Sequence, residues 1–196
     1  MVTARSRLEA VLAGVLISLG FPLLLRADAD PAVRPAANST LDGQHDFDFE
    51  VGPWRAHLKR RLHPLQGSNE WLEYDGTSVV RKVWDGRANL GEFNVANAST
   101  HIQGLTLRLY NPESHQWSIY WASSRDGALT TPLVGAWSNG RGVFYDQETF
   151  EGRAIFARFI FSDVTATTFR LEQAYSADGG ATWEANWIAT FTRGEP

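Results

Sequence analysis

Cysteine is absent from the 196-residue chain, so a disulfide framework, a thiolate nucleophile and a cysteine metal site are all excluded. Lysine is nearly absent: only Lys59 and Lys82 occur, and arginine carries the rest of the positive charge. Acids outnumber bases by 22 to 18, which leaves no basic footprint for a nucleic-acid partner. Three chemical motifs are also missing: a Gly-x-Ser-x-Gly elbow, a His-Glu-x-x-His helix and a glycine-rich phosphate loop. The five histidines (His45, His57, His63, His101 and His115) are scattered singly, so no metal and no cofactor is expected. What the chain does have is a globular balance, 43% hydrophobic against 20% charged, with eight tryptophans.

Residues 1–29 read as a secretory signal peptide. Arg5 and Arg7 supply a positive start, and an apolar run covers residues 10–25. Gly20 and Pro22 break that run, making it a poor membrane span, and Ala27-Asp28-Ala29 has the small-x-small form of a cleavage site. The expectation is a periplasmic or secreted protein with no integral membrane span after cleavage. Residues 30–43 are small, polar and proline-containing and read as a flexible linker. Residues 44–196 form the domain.

Within the domain the apolar period is two. Trp54, Ala56 and Leu58 alternate with Arg55, His57 and Lys59, and Trp117, Ile119 and Trp121 alternate with Gln116, Ser118 and Tyr120. The same holds for Leu105, Leu107 and Leu109, for Phe169, Leu171, Gln173 and Tyr175, and for Trp183, Ala185, Trp187, Ala189 and Phe191. Asp85-Gly86, Asn111-Pro112, Asp126-Gly127, Asn139-Gly140 and Glu151-Gly152 punctuate these runs with turn chemistry. About ten strands with short connections predict an all-β fold, a single up-and-down antiparallel barrel, because closure removes exposed edges. One short helical turn is expected between residues 41 and 51. There, Phe47 and Phe49 would lie on the barrel base with Asp46, Asp48 and Glu50 in water.

Two local motifs sharpen this reading. Gly52-Pro53-Trp54, just before the first strand, resembles the Gly-x-Trp opening signature of lipocalins and the wider calycin barrels. In those families the tryptophan closes one end of the barrel and an arginine from the last strand covers its ring. The resemblance therefore implies that Arg193 stacks on Trp54. Further along, Ser176-Ala177-Asp178-Gly179-Gly180-Ala181-Thr182-Trp183 resembles the Asp-box hairpin, in which Ser and Asp bond the turn backbone and Trp packs on it. A single copy cannot be a propeller, so Ser176, Asp178, Gly180 and Trp183 read as a stiff structural turn.

Over almost all of residues 44–196 the chain also resembles the bacterial domain-of-unknown-function family 1579, exported or cytosolic proteins with calycin-like barrels. The matching pieces are residues 47–54, 70–77, 116–121, 140–145, 172–176 and 180–187. The resemblance implies a fold and brings no established reaction.

With no catalytic motif, attention falls on the barrel interior, where a small ligand can sit between apolar walls and a few aimed polar groups. Parity nominates Arg60, Glu92, His101, Gln103, Trp117, Trp121, Arg158, Gln173 and Trp187. The first functional reading is a barrel that binds an apolar or aromatic small molecule, with an arginine orienting an acidic group on it. An alternative is a barrel enzyme of isomerase, cyclase or hydratase type, with Glu92 or His101 as acid/base beside an arginine. A further alternative is a glycan- or protein-binding surface module using exposed Trp71, Trp84 and Trp137. The oligomeric state is left open.

Overall fold

The computed structural model describes residues 42–194. The expected signal peptide, its expected cleavage site and the expected linker up to residue 41 lie outside the described residues. Among the described residues ten strands form one closed antiparallel barrel. In chain order they are β1 (Gly52–Arg61), β2 (Trp71–Val83), β3 (Ala88–Ala96), β4 (His101–Asn111) and β5 (Gln116–Ser123). Then follow β6 (Leu133–Ser138), β7 (Arg141–Phe150), β8 (Arg153–Ser162), β9 (Thr168–Ser176) and β10 (Glu184–Arg193). Each strand pairs with its sequence neighbours, and β1 pairs with β10 to close the cylinder. Tight turns make the up-and-down order possible. Asn139-Gly140 and Glu151-Gly152 both take positive φ at two successive positions, the backbone that two-residue hairpins demand. No helix among the described residues is long and apolar enough to cross a membrane.

One end of the barrel is plugged. A short 3₁₀ turn, Asp48–Glu50, crosses that end just before β1 and carries Phe47 and Phe49 onto the base. Phe47 is 1% exposed and meets Trp117, Trp137, Phe144 and Phe161 edge-on or tilted at 5.1–5.7 Å between ring centroids. Asp48 faces out and pairs with Lys82 at 2.7 Å. Glu50 departs from the sequence expectation: it is 3% exposed and points into the barrel.

The two implied motifs are realised. The Trp54 indole is fully buried and donates to the Glu50 carbonyl at 2.7 Å. The Arg193 guanidinium lies 3.7 Å from its ring centroid and donates to the carbonyls of Val51 and Phe49 at 2.7 and 2.8 Å. Gly52 has φ of 108°, and a Cβ there would stand 3.1 Å from Arg193 Nη1, so the signature glycine makes room for the covering arginine. In the β9–β10 hairpin, Asp178 accepts from the N–H and hydroxyl of Thr182 at 2.9 and 2.6 Å, and Ser176 Oγ accepts from Gly180 N–H at 2.8 Å. Trp183 donates to the Gly180 carbonyl at 3.0 Å. These bonds hold the Asp178 carboxyl down at about 2, the Thr182 hydroxyl first among the causes.

Candidate functional site

Inward facing is set by pairing register, because directly paired residues share a face. β1 and β5 present Trp54, Ala56, Leu58, Trp117, Ile119 and Trp121 to the interior, as their apolar periods predict. β9 presents Phe169, Leu171, Gln173 and Tyr175. Four strands correct the sequence reading. On β4, Thr106 pairs with Trp121, Arg108 with Ile119 and Tyr110 with Trp117, so the even-numbered residues face in. His101, Gln103, Leu105, Leu107 and Leu109 therefore face out, with Leu105 partly exposed. The inversion has a steric cause at Gly104, where a Cβ would stand 1.7 Å from the Trp121 ring. Only a glycine facing inward at that point lets the indole lie against the wall.

On β3, Phe93 faces in and Glu92 faces out, where it pairs with exposed Arg81 at 2.7 Å. His101 bonds Asn94 on the same outer wall. On β8, Ala157, Phe159 and Phe161 line the interior while Arg158 faces out and stacks on Trp183 at 4.4 Å. The stack is possible because a bulge between Ala185 and Trp187 flips the first part of β10, turning Asn186 inward and Trp183 outward. Four nominated residues, Glu92, His101, Gln103 and Arg158, thus lie outside the barrel. Trp117 is inside but belongs to the plugged floor, its indole bonded to the Gly43 carbonyl at 2.9 Å. The surface-module trio is also dispersed. Trp71 and Trp84 flank opposite ends of β2, and Trp137 packs among Phe47, Phe49 and Phe161 inside.

Above the floor the barrel holds a cavity of about 360 Å³. Its apolar walls include Phe93, Ile102, Trp121, Phe159, Leu171 and Trp187. Gln173 lines it too, donating to Asn186 Oδ1 at 3.0 Å. Arg60 and Arg125 stand on its rim, exposed, and among the described residues neither guanidinium has a hydrogen-bond or ion-pair partner. The cavity is therefore lined by Arg60, Trp121, Gln173 and Trp187 of the nominated set.

Two polar groupings inside it were not nominated from the sequence. The first is Glu50 with Arg108. Arg108 Nη2 donates to Glu50 Oε1 at 2.9 Å, Nη1 lies 2.8 Å from Oε2, and Nη1 also donates to Asn89 at 2.9 Å. Burial pushes the Glu50 carboxyl up, and the Arg108 guanidinium opposes this by stabilising the carboxylate through its charge and its hydrogen bond; arginine keeps its charge regardless, so the two form an ion pair. Glu50 Oε2 and Arg108 Nε remain without an aligned hydrogen bond.

The second grouping lies on β7, β9 and β10. Gly142, Phe144, Asp146, Glu148 and Phe150 share the inward parity of β7. Register places Asp146, Ala157 and Tyr175 in one row, with the small Ala157 between the two polar side chains. The Tyr175 hydroxyl bonds Glu148; burial, with that carboxylate beside it, raises the phenol. Burial and the neighbouring Glu148 raise the Asp146 carboxyl to about 7. Burial also raises Glu148. Asp146 Oδ1 and Asn186 Nδ2 are buried without hydrogen-bond partners, and Asn186 is only 4% exposed. Among the described residues no three potential ligands converge on a metal position.

No protein-family model matches the chain, and no curated protein matches it by sequence. Among solved structures, the S-type phycobiliprotein lyase CPES from Guillardia theta superposes with a TM-score of 0.53 at 13% identity, covering 78% of this chain and 93% of that chain. EF1p2_mFAP2b, solved bound to DFHBI, gives a TM-score of 0.42 at 10% identity, covering 78% of this chain and 99% of that chain. The likeness to the lyase is one of fold: a closed antiparallel barrel of the lipocalin-like kind.

Proposed function

We propose that this protein binds a small, predominantly aromatic or apolar molecule inside the barrel. The observation that carries the reading is the 360 Å³ cavity itself, held open above a tightly packed floor and walled by Phe93, Trp121, Phe159 and Trp187. A chain with this many rings could fill its own lumen; here the rings line it instead. Polar atoms aimed into it without partners, Asn186 Nδ2 and Asp146 Oδ1, support the same reading, because buried polar groups left unsatisfied stand ready for a ligand or water. The pattern of residues 1–29 supports export, which would put the ligand in the periplasm or outside the cell. The motifs quoted above support membership of family 1579, whose proteins are exported or cytosolic.

The test is native mass spectrometry of the protein purified from its own host. A single small-molecule adduct that disappears on denaturation is the expected result. A bare polypeptide mass, from a preparation that also fails to take up neutral apolar dyes, overturns the reading.

A second reading, an acid/base enzyme, is favoured by Asp146. A carboxyl held near 7 beside a tyrosine inside an apolar cavity has the properties of a proton-transfer group. It replaces Glu92 and His101, which face away from the lumen. Its test is whether any substrate converted by the wild type is bound but left unconverted by Asp146→Asn.

A further inference from the structure

The charges lining the cavity are unequally neutralised. Glu50 has Arg108 against it. Arg61, although its stem reaches the lining, turns its guanidinium away. It donates to the carbonyls of Ala185 and Ser68, and stacks on Trp71 at 4.7 Å. Arg60 and Arg125 are exposed on the rim. Among the described residues no basic side chain acts on Asp146 or Glu148. The influences on the two carboxyls are burial, their mutual repulsion, backbone N–H groups and the Tyr175 hydroxyl. The wall next to them is apolar: the Phe150 ring meets Tyr175 tilted, 5.2 Å between centroids, and Ala157 fills the row between.

Resting on the reading of the lumen as a binding cavity, we propose that its ligand carries a basic nitrogen, a protonated amine or amidine on an aromatic body, directed at Asp146 and Glu148. Two adjacent carboxyls in an apolar enclosure without a counter-ion are a costly arrangement. A cationic nitrogen relieves both the repulsion and the missing donor at Asp146 Oδ1. Asn186 Nδ2, 96% buried and unbonded by the same geometry, faces the cavity from β10 and offers a donor to an acceptor on the same ligand. This reverses the polarity expected from the sequence. An acidic group deep in the lumen would meet two carboxyls, since Arg108, the arginine buried at the floor, already holds Glu50.

The experiment is isothermal titration at pH 8 of the full chain with three probes sharing one ring system: naphthylethylamine, naphthylethanol and naphthylacetate. The amine is expected to bind about tenfold more tightly than the alcohol, and the acetate most weakly, in line with the strength of a charge pair in a partly desolvated site. In the Asp146→Asn/Glu148→Gln variant, the preference for the amine disappears while the alcohol binds as before. Removing uncompensated buried charge does not threaten the fold. Equal binding of amine and alcohol, or a preference that survives the double substitution, overturns the amine assignment and leaves the binding cavity intact. If none of the three binds and the neutral dye Nile red does not bind either, the binding cavity itself is refuted and the assignment falls with it.

Discussion

Arg108 Nη2 lies 2.9 Å from Glu50 Oε1, and the pair sits at the floor of the lumen with both side chains 4% exposed. It ties β4 to the 3₁₀ turn that plugs the barrel, a buried ionic contact between wall and stopper beside the more exposed Asp48–Lys82 pair on β2. Removing one partner leaves the other charged and buried. Arg108→Leu should cost about 3–5 kcal/mol, whereas Glu50→Leu/Arg108→Leu should recover most of that loss. Urea unfolding of the single and double variants checks this. A double variant no more stable than the single would show that the pair is not what the floor depends on.

Arg193 closes the same end from outside the floor. Its ring contact and its two carbonyl contacts are independent, so Arg193→Ala should cost about 2–4 kcal/mol. Arg193→Lys should recover less than half, because an ammonium cannot reach two carbonyls and cover an indole together. Gly52→Ala should weaken the same closure by about 1 kcal/mol or more, being strained at its positive φ and crowded against Nη1. Thermal melts of the three variants give the ranking.

Gly104 and Trp121 occupy the same space in turn: a methyl at Gly104 would overlap the indole. Gly104→Ala should drive the Trp121 ring toward the lumen, cost about 1–3 kcal/mol of stability and weaken naphthylethanol binding. Unchanged affinity would mean that Trp121 is not part of the ligand wall.

The raised carboxyl of Asp146 gives a pH signature to the empty protein. Near pH 4 the carboxyl is protonated in the folded protein and begins to ionise only in the unfolded chain. As pH rises from about 4 to about 7 the unfolded chain gives up that proton first, so folding becomes progressively less favourable; above 7 the effect is complete. The groups facing Asp146 are Glu148 on its own strand and Tyr175 on β9, and Glu148 shifts in the same direction. Melting temperature should therefore fall between pH 5 and 7 in the wild type, and fall less in Asp146→Asn. Parallel profiles for the two proteins would place the Asp146 carboxyl in water.

The closed barrel was legible because turn pairs and period-two runs are local signals, and short connections leave few topologies. The Gly52–Trp54–Arg193 closure was legible because a motif names its partners. The lumen was only half legible. On β4 the three leucines form the more apolar face, yet it is the outer one, since pairing with β5 and the ring over Gly104 fix the opposite register. At β10 a one-residue bulge reverses parity for Trp183 and Asn186, which no periodicity reveals. Asp146 and Glu148 did leave a trace: they share parity with Phe144 and Phe150, an acid–aromatic alternation on one face of β7. Glu50 and Arg108 meet across 58 positions of sequence, beyond the reach of any local pattern.

The central claim, a lumen that takes a guest, is tested most directly by energy transfer from Trp121 and Trp187 to Nile red. The wild type should show saturable transfer at one dye per barrel, and Leu171→Trp, which adds an indole to the cavity wall, should lose it while keeping the circular dichroism of the native fold. Transfer that is equally strong in the filled variant, or absent from the wild type, contradicts the account.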